Sequence, residues 1–144
     1  MKRIDTVLKS NGLENMFSNI FTNSASIDDN GVIRLKAFYQ NILDSSNCPC
    51  EICSRACTLP SICKKNVLAN LLKTSRADAS KQQVVYVGDG SNDLCAVSML
   101  KEGDYVFARE GYALAKLLKS GEVNVCAKVN YWTSGEGIIK QLGL

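Results

Sequence analysis

The stretch Val84-Val85-Tyr86-Val87-Gly88-Asp89-Gly90-Ser91-Asn92-Asp93 joins a continuous apolar run to a glycine-bracketed acidic loop. The run is rich in residues that favour β-structure, which predicts a strand buried on both faces, as in a parallel sheet. The loop leads into a predicted helix from Leu94 to Lys101. Asp89 and Asp93 therefore follow the carboxyl end of a buried strand, where open α/β sheets place their ligands.

Helices and strands are predicted to alternate around this stretch. Apolar spacing and β-propensity mark a helix from Ser61 to Lys73, a strand from Tyr105 to Ala108, a helix from Gly111 to Lys119, a strand from Val123 to Val129 and a helix from Trp132 to Leu142. Such alternation implies right-handed crossovers. We therefore expect an α/β fold, a mostly parallel sheet with helices on both faces.

The first third of the chain has a different pattern. It predicts a helix from Met1 to Asn11, a helical turn from Glu14 to Ser18, a short strand from Ile20 to Thr22, and a β-hairpin whose second strand is Val32 to Leu35. Asn30-Gly31 favours a tight bend in that hairpin. The acidic turn Asp28-Asp29 lacks the spaced ligands of an EF-hand, which favours a plain turn over a calcium loop.

Composition narrows the classes of function. The chain of 144 residues contains no histidine, which excludes Ser-His-Asp catalysis and any histidine metal ligand. Its net charge is only +3 and its basic residues are scattered along the sequence, so we expect no nucleic-acid partner. No apolar segment reaches the roughly 20 residues of a membrane span, and no signal peptide is visible. We expect a cytoplasmic protein that forms one domain over residues 1–144.

The cysteines are concentrated before the predicted Ser61 helix. Thiolates that could hold a zinc ion come from Cys48, Cys50, Cys53 and Cys57. Zinc sites of this kind usually have two separated CxxC pairs, whereas this segment has one, Cys50 to Cys53. The pattern therefore favours a Cys-rich loop with reduced thiols, and leaves zinc as an alternative.

Three charged side chains have both a structural and a chemical interpretation. Asp89 and Asp93 suit a magnesium site, since Mg²⁺ takes one or two carboxylates beside substrate phosphate oxygens. They equally suit an Asx turn and a helix cap. Lys64 lies at the start of a predicted helix, where a bound phosphate would be favoured. From the residues alone, a solvated surface lysine is the preferred interpretation of Lys64.

Four segments together resemble the haloacid dehalogenase (HAD) superfamily of phosphatases, in its phosphoethanolamine/phosphocholine phosphatase-like branch. They occur in family order over nearly the whole chain: Phe17–Asn23 is similar to the strand and turn after motif II, Cys63–Leu68 to the motif III helix start, Val84–Asp93 to motif IV, and Gly103–Tyr112 to the segment after it.

The resemblance implies a role for each matching residue. Asp89 would be the magnesium-binding acid and Asp93 the second acid of the metal site. Lys64 would steady the phosphate and the charge of the nucleophile, and Gly88 and Asn92 would line the substrate site. Such enzymes hydrolyse phosphomonoesters of small phosphorylated metabolites through an aspartyl-phosphate, with Mg²⁺ as cofactor.

One element of the family is not found. HAD phosphatases begin with an Asp-x-Asp motif, and no two aspartates of this sequence have that spacing. The resemblance therefore covers an incomplete HAD-like Rossmannoid core that lacks the N-terminal strands and cap. We expect no turnover by the 144 residues alone and low stability. Alternatives are an inactive truncated homologue, a binding remnant, or a small zinc-binding module built on Cys48 to Cys57.

Overall fold

The computed structural model describes residues 2–36, 52, 62–75 and 83–144. The described residues divide between two compact units. One unit contains residues 2–36 and 62, and the other contains residues 52, 63–75 and 83–144. The candidate zinc ligands Cys48, Cys50, Cys53 and Cys57 lie outside the described residues. None of the described helices has the length and apolar character that a membrane crossing requires.

The first unit begins with helix α1, Lys2–Ser10, followed by a 3₁₀ turn, Glu14–Met16. Both confirm the predicted helical segments. Strands β1, Ser24–Ile27, and β2, Ile33–Lys36, then form an antiparallel hairpin. The strand predicted over residues 20–22 is wrong, because the register of the hairpin pairs Ser24 with Lys36 and starts β1 after that segment.

The bend of the hairpin forms where Asn30-Gly31 predicts it. Gly31 has a φ of +77°, a left-handed conformation that favours glycine. Oδ1 of Asp28 accepts hydrogen bonds from the backbone N–H groups of Asn30 and Val32, at 3.1 and 2.9 Å. Its Oδ2 lies 2.9 Å from Nε of Arg34. The carboxylate of Asp28 therefore closes its own turn, as the plain-turn interpretation requires.

The second unit alternates helices and strands. Its elements are α2 (Lys64–Ser75), β3 (Val85–Gly88), α3 (Leu94–Val97), β4 (Tyr105–Arg109), α4 (Ala113–Ser120), β5 (Lys128–Trp132) and α5 (Gly135–Leu142). A 3₁₀ turn, Ser91–Asp93, precedes α3. The strands form a three-stranded parallel sheet of order β3-β4-β5, with Gly88 opposite Ala108 and Arg109 opposite Trp132. The predicted α/β class with a parallel sheet and a hairpin is thus confirmed at this level.

The main apolar cluster of the second unit lies on the face of β4 that carries Val106 and Ala108, and Phe107 on the other face of that strand is fully buried as well. The buried members of the cluster are Leu94, Val97, Leu100, Val106, Ala108, Leu114, Ala115 and Ala127. Asp104, 1% exposed, joins this core to the entry of β3, because its carboxylate accepts from the backbone N–H groups of Val84 and Lys101 at 2.9 and 3.0 Å. Burial of the apolar side chains supplies most of the favourable free energy of folding.

The prediction that β3 is buried on both faces is wrong for one face. Val85 and Val87 are 43% and 47% exposed, whereas Tyr86 and Gly88 are half-buried. Alternate residues of a strand point to opposite faces, so Tyr86 and Gly88 face the core while the two valines face outward. A continuous apolar run cannot show which neighbours cover each face.

Several predicted boundaries also differ. Helix α2 begins at Lys64 rather than Ser61, which lies outside the described residues. The helix predicted from Leu94 to Lys101 is shortened to a single turn, α3. The last strand, predicted over Val123–Val129, is Lys128–Trp132, because its parallel register pairs Lys128 with Tyr105. Trp132 therefore belongs to a strand, and Ser134 caps α5 by accepting from the N–H of Gly137.

Candidate active site

The loop after β3 folds tightly around the side chain of Asp93. A Cβ atom added at Gly88 would lie 2.7 Å from Cγ of Asp93, closer than real Cβ atoms come to other atoms. Only glycine allows this approach of backbone to carboxylate. Oδ2 of Asp93 accepts hydrogen bonds from the N–H groups of Asp89 and Gly90, at 3.1 and 2.9 Å. Asp93 therefore holds the loop that presents Asp89.

The other oxygen of Asp93 joins the loop to helix α2. Nζ of Lys64 lies 2.7 Å from Oδ1 of Asp93, and the hydroxyl of Tyr86 donates to the same oxygen at 2.6 Å. The side chain of Asp93 is 3% exposed and that of Lys64 is 34% exposed. Water can therefore reach the ammonium but hardly the carboxylate, so Asp93 depends on its protein donors.

Lys64 is placed by the start of its helix. The carbonyl of the buried Cys63 accepts from the N–H of Val67 at 3.2 Å, which makes Lys64 the first residue of α2. Helix α2 lies against α3 and the Ser91–Asp93 turn. This packing brings the ammonium also to 3.5 Å from Oδ1 of Asn92. The side chain of Lys64 thus connects the first turn of α2 to the acidic loop.

Burial and hydrogen bonding act in opposite directions on the ionisation of Asp93. Burial alone would raise the pKa of Asp93, but the hydrogen bonds from Lys64 and Tyr86 and the charge of Lys64 outweigh it and hold that pKa below its usual range. For Tyr86, burial first, and then the neighbouring carboxylate, raise the pKa of the phenol far above its usual value. Asp93 is therefore ionised, and Tyr86 is a neutral hydrogen-bond donor to it.

Asp89 differs from Asp93 in its surroundings. Its backbone carbonyl accepts from the N–H of Leu114 at 3.0 Å, which ties the loop to helix α4. Its side chain is exposed, and no donor within the described part of the chain occupies its carboxylate. Asp89 is thus held by its backbone and presents a carboxylate to solvent at the carboxyl edge of the sheet.

The structure brings together Lys64, Gly88, Asn92 and Asp93, with Asp89 at the adjacent position of the loop. These are the site residues that the sequence singled out, apart from the four cysteines outside the described ranges. Their roles as metal ligands or substrate contacts stay predictions. Among the described residues, no group of three or more His, Cys, Asp or Glu side chains is placed to hold a metal ion.

One site residue was missed. Tyr86 was treated as part of an apolar strand, yet its hydroxyl is a direct partner of Asp93. A signal was present, because Tyr86 and Gly88 share one face of a strand and Gly88 opens the acidic loop. A tyrosine at that position carries a polar group toward the loop.

Comparison with known proteins identifies a phosphatase family. Residues 1–143 match the family described as Putative Phosphatase. Probable phosphatase phospho2 of Xenopus tropicalis is 34% identical over 142 residues, which cover 98% of this chain and 55% of the relative. Thiamine phosphate phosphatase-like protein of Arabidopsis thaliana is 32% identical over 133 residues, 92% of this chain and 51% of the relative.

A third relative has a similar extent of match. Pyridoxal phosphate phosphatase PHOSPHO2 of Homo sapiens is 32% identical over 143 residues, which cover 96% of this chain and 54% of the relative. The chain thus spans about half the length of the curated relatives it matches. No solved structure matches it. The resemblance to HAD-type phosphatases is confirmed, and the chain belongs to the Putative Phosphatase family.

Proposed function

We propose that this chain carries the phosphate-binding and metal-binding half of a magnesium-dependent phosphomonoester phosphatase, built on a HAD-like Rossmannoid core. The observation that supports this most directly is the position of Lys64. Its ammonium is held 2.7 Å from Asp93, on the loop that also presents Asp89. A cation and an exposed carboxylate at the carboxyl edge of a parallel sheet form a site suited to a phosphate and a hard cation.

Lys64 would bind the phosphate. An ammonium has three N–H donors, and in this structure they face Oδ1 of Asp93 and, at 3.5 Å, Oδ1 of Asn92. The side chain is partly exposed, so a phosphate oxygen can approach it from solvent. Because Asp93 anchors the ammonium, little side-chain freedom would be lost when phosphate binds.

Asp89 fits one ligand position of a magnesium ion. Mg²⁺ prefers oxygen donors and keeps several waters, so a single exposed carboxylate suffices from this part of the chain. Asp93 fits less directly, since both its oxygens accept hydrogen bonds from the protein; we assign it to the site as the residue that supports the Asp89 loop. When bound, Mg²⁺ would neutralise negative charge on the phosphate oxygens.

The names of two relatives support a substrate class. These two are named for pyridoxal phosphate and thiamine phosphate, and we infer a small phosphorylated metabolite for this chain too. Because the sequence contains no Asp-x-Asp pair, we expect the 144 residues to bind phosphate without hydrolysing it. Hydrolysis needs a nucleophile that charge stabilisation cannot replace.

Titration calorimetry with inorganic phosphate and magnesium tests this function. We expect the wild-type chain to bind phosphate, Lys64→Ala to weaken binding about tenfold or more, and Asp89→Asn to remove the effect of magnesium. Lys65→Ala is the matched control, because it removes a lysine from the next position of the same helix. Equal losses in Lys64→Ala and Lys65→Ala, or no binding by the wild type, would contradict the assignment. Release of phosphate from an aryl phosphate that is lost in Asp89→Asn would contradict the expected absence of turnover.

A further inference from the structure

Tyr86 and Lys64 share one oxygen atom of Asp93. The phenol hydroxyl donates to Oδ1 at 2.6 Å, and the ammonium donates to Oδ1 at 2.7 Å. The two donors come from different elements, strand β3 and helix α2, and both donate to this carboxylate. The ammonium and the hydroxyl therefore share the acceptor positions of one oxygen atom.

The carboxylate of Asp93 has no acceptor site left over. An ionised carboxylate offers about four lone-pair positions. Those of Asp93 are taken by the N–H groups of Asp89 and Gly90 on Oδ2 and by Tyr86 and Lys64 on Oδ1. Because the side chain is 3% exposed, water is poorly placed to replace a lost donor.

We propose that Tyr86 is a positioning residue for Lys64: its hydroxyl occupies one side of Oδ1, so that the ammonium gives a single N–H to Asp93, makes a longer contact to Asn92 and keeps a donor for a ligand. Without the hydroxyl, the ammonium of Lys64, which already donates to Oδ1, can take the vacated acceptor position. The ammonium would then turn toward Asp93 and away from the phosphate. The part of this proposal that concerns phosphate rests on the proposed function; the placement of Lys64 does not.

Lysine-selective ¹⁵N NMR tests the placement directly. In the wild type, the ammonium signal of Lys64, assigned with Lys64→Arg, should persist while that of the exposed Lys116 is lost to exchange with water. In Tyr86→Phe, which removes only the hydroxyl, the Lys64 signal should move. Tyr105→Phe, a matched change on the neighbouring strand, should leave it in place. A wild-type Lys64 signal as short-lived as that of Lys116, or an unmoved signal in folded Tyr86→Phe, overturns the proposal.

Phosphate affinity tests the consequence. We expect Tyr86→Phe to weaken inorganic phosphate binding in the presence of magnesium about fivefold, since one charge-assisted hydrogen bond is redirected. Tyr105→Phe should bind like the wild type. In a Lys64→Ala background, Tyr86→Phe should cause no further loss, because its effect passes through the ammonium. The same fivefold loss in that background overturns the proposal. Failure of the wild type to bind phosphate contradicts the proposed function, and the Lys64 signal then decides the placement on its own.

Discussion

The ammonium of Lys64 lies 2.7 Å from Oδ1 of Asp93, although the two residues are 29 positions apart in the chain. This ion pair connects the first residue of α2 to the loop after β3. It holds a largely buried carboxylate in its charged form and places a cation beside Asp89. Stability and the candidate chemistry of this unit therefore depend on the same contact.

Asp93→Asn should destabilise the second unit. The amide keeps the size of the side chain but loses the charge, and its NH₂ group must face either the loop N–H groups or the Lys64 and Tyr86 donors. We expect a loss of about 2–3 kcal/mol in the free energy of unfolding, reduced from the full value for a buried pair because Lys64 is partly exposed. Urea denaturation measures it. Glu122→Gln, at an exposed position, is the control, and an equal loss there would contradict the prediction.

Stability should fall in acid. The pKa of Asp93 is lower in the folded state than in the unfolded state. The contribution of Asp93 to the free energy of unfolding is therefore fully present above its unfolded-state pKa of about 3.9, and it is lost as the pH falls toward its folded-state pKa. The pKa of Asp28, lowered by the N–H of Val32 and by Arg34, acts in the same direction. The difference in unfolding free energy between wild type and Asp93→Asn should therefore shrink below about pH 4. A difference that stays constant with pH would count against the charged carboxylate.

Gly88→Ala should disrupt the loop. The added methyl group would meet Cγ of Asp93 at 2.7 Å, and neither the strand nor the four-fold bonded carboxylate can easily move away. We expect the free energy of unfolding to fall by about 2–3 kcal/mol, which is within the range measured when extra atoms are forced into a packed site. Gly137→Ala makes the same chemical change in α5, where the new methyl meets only Oγ of Ser134 at 3.7 Å. That control should be neutral or slightly stabilising, since alanine favours helix more than glycine; thermal unfolding compares the two.

A buried and an exposed valine of the sheet should respond differently to truncation. Val106 is fully buried, so Val106→Ala should lower the free energy of unfolding by about 2 kcal/mol, because apolar burial is lost and a cavity is left. Val87 is 47% exposed on the adjacent strand, and Val87→Ala should cost less than about 1 kcal/mol. Urea denaturation of both variants measures the two losses in the free energy of unfolding. Equal costs would mean that the outward face of β3 is covered in solution.

The cysteine segment should contain reduced thiols rather than a metal. Elemental analysis of the reduced protein should find no stoichiometric zinc, because the segment has one CxxC pair instead of two. One zinc per chain that disappears in Cys50→Ser would instead support the zinc-binding module as an alternative function.

Local patterns predicted much of the second unit. The runs at Val84 and Tyr105 mark β3 and β4, and the spacing of Leu114, Leu117 and Leu118 marks α4. The last strand was misplaced because Val123 and Val125 are apolar but pack on the core without entering the sheet. Membership in a parallel sheet depends on register with a neighbour, and one strand's sequence does not contain its neighbour's position.

Local sequence patterns predicted the elements of the site, which are an apolar strand, a glycine-bracketed loop with two acids and a lysine at a helix start. These follow from short-range sterics and propensity. The packing of distant elements was needed to show that Asp93 is saturated by protein donors, that Asp89 is exposed, that Tyr86 shares an oxygen with Lys64, and that Val85 and Val87 face outward. Hydrogen bonds and burial between distant residues depend on how helices and strands pack, which no local period of the sequence specifies.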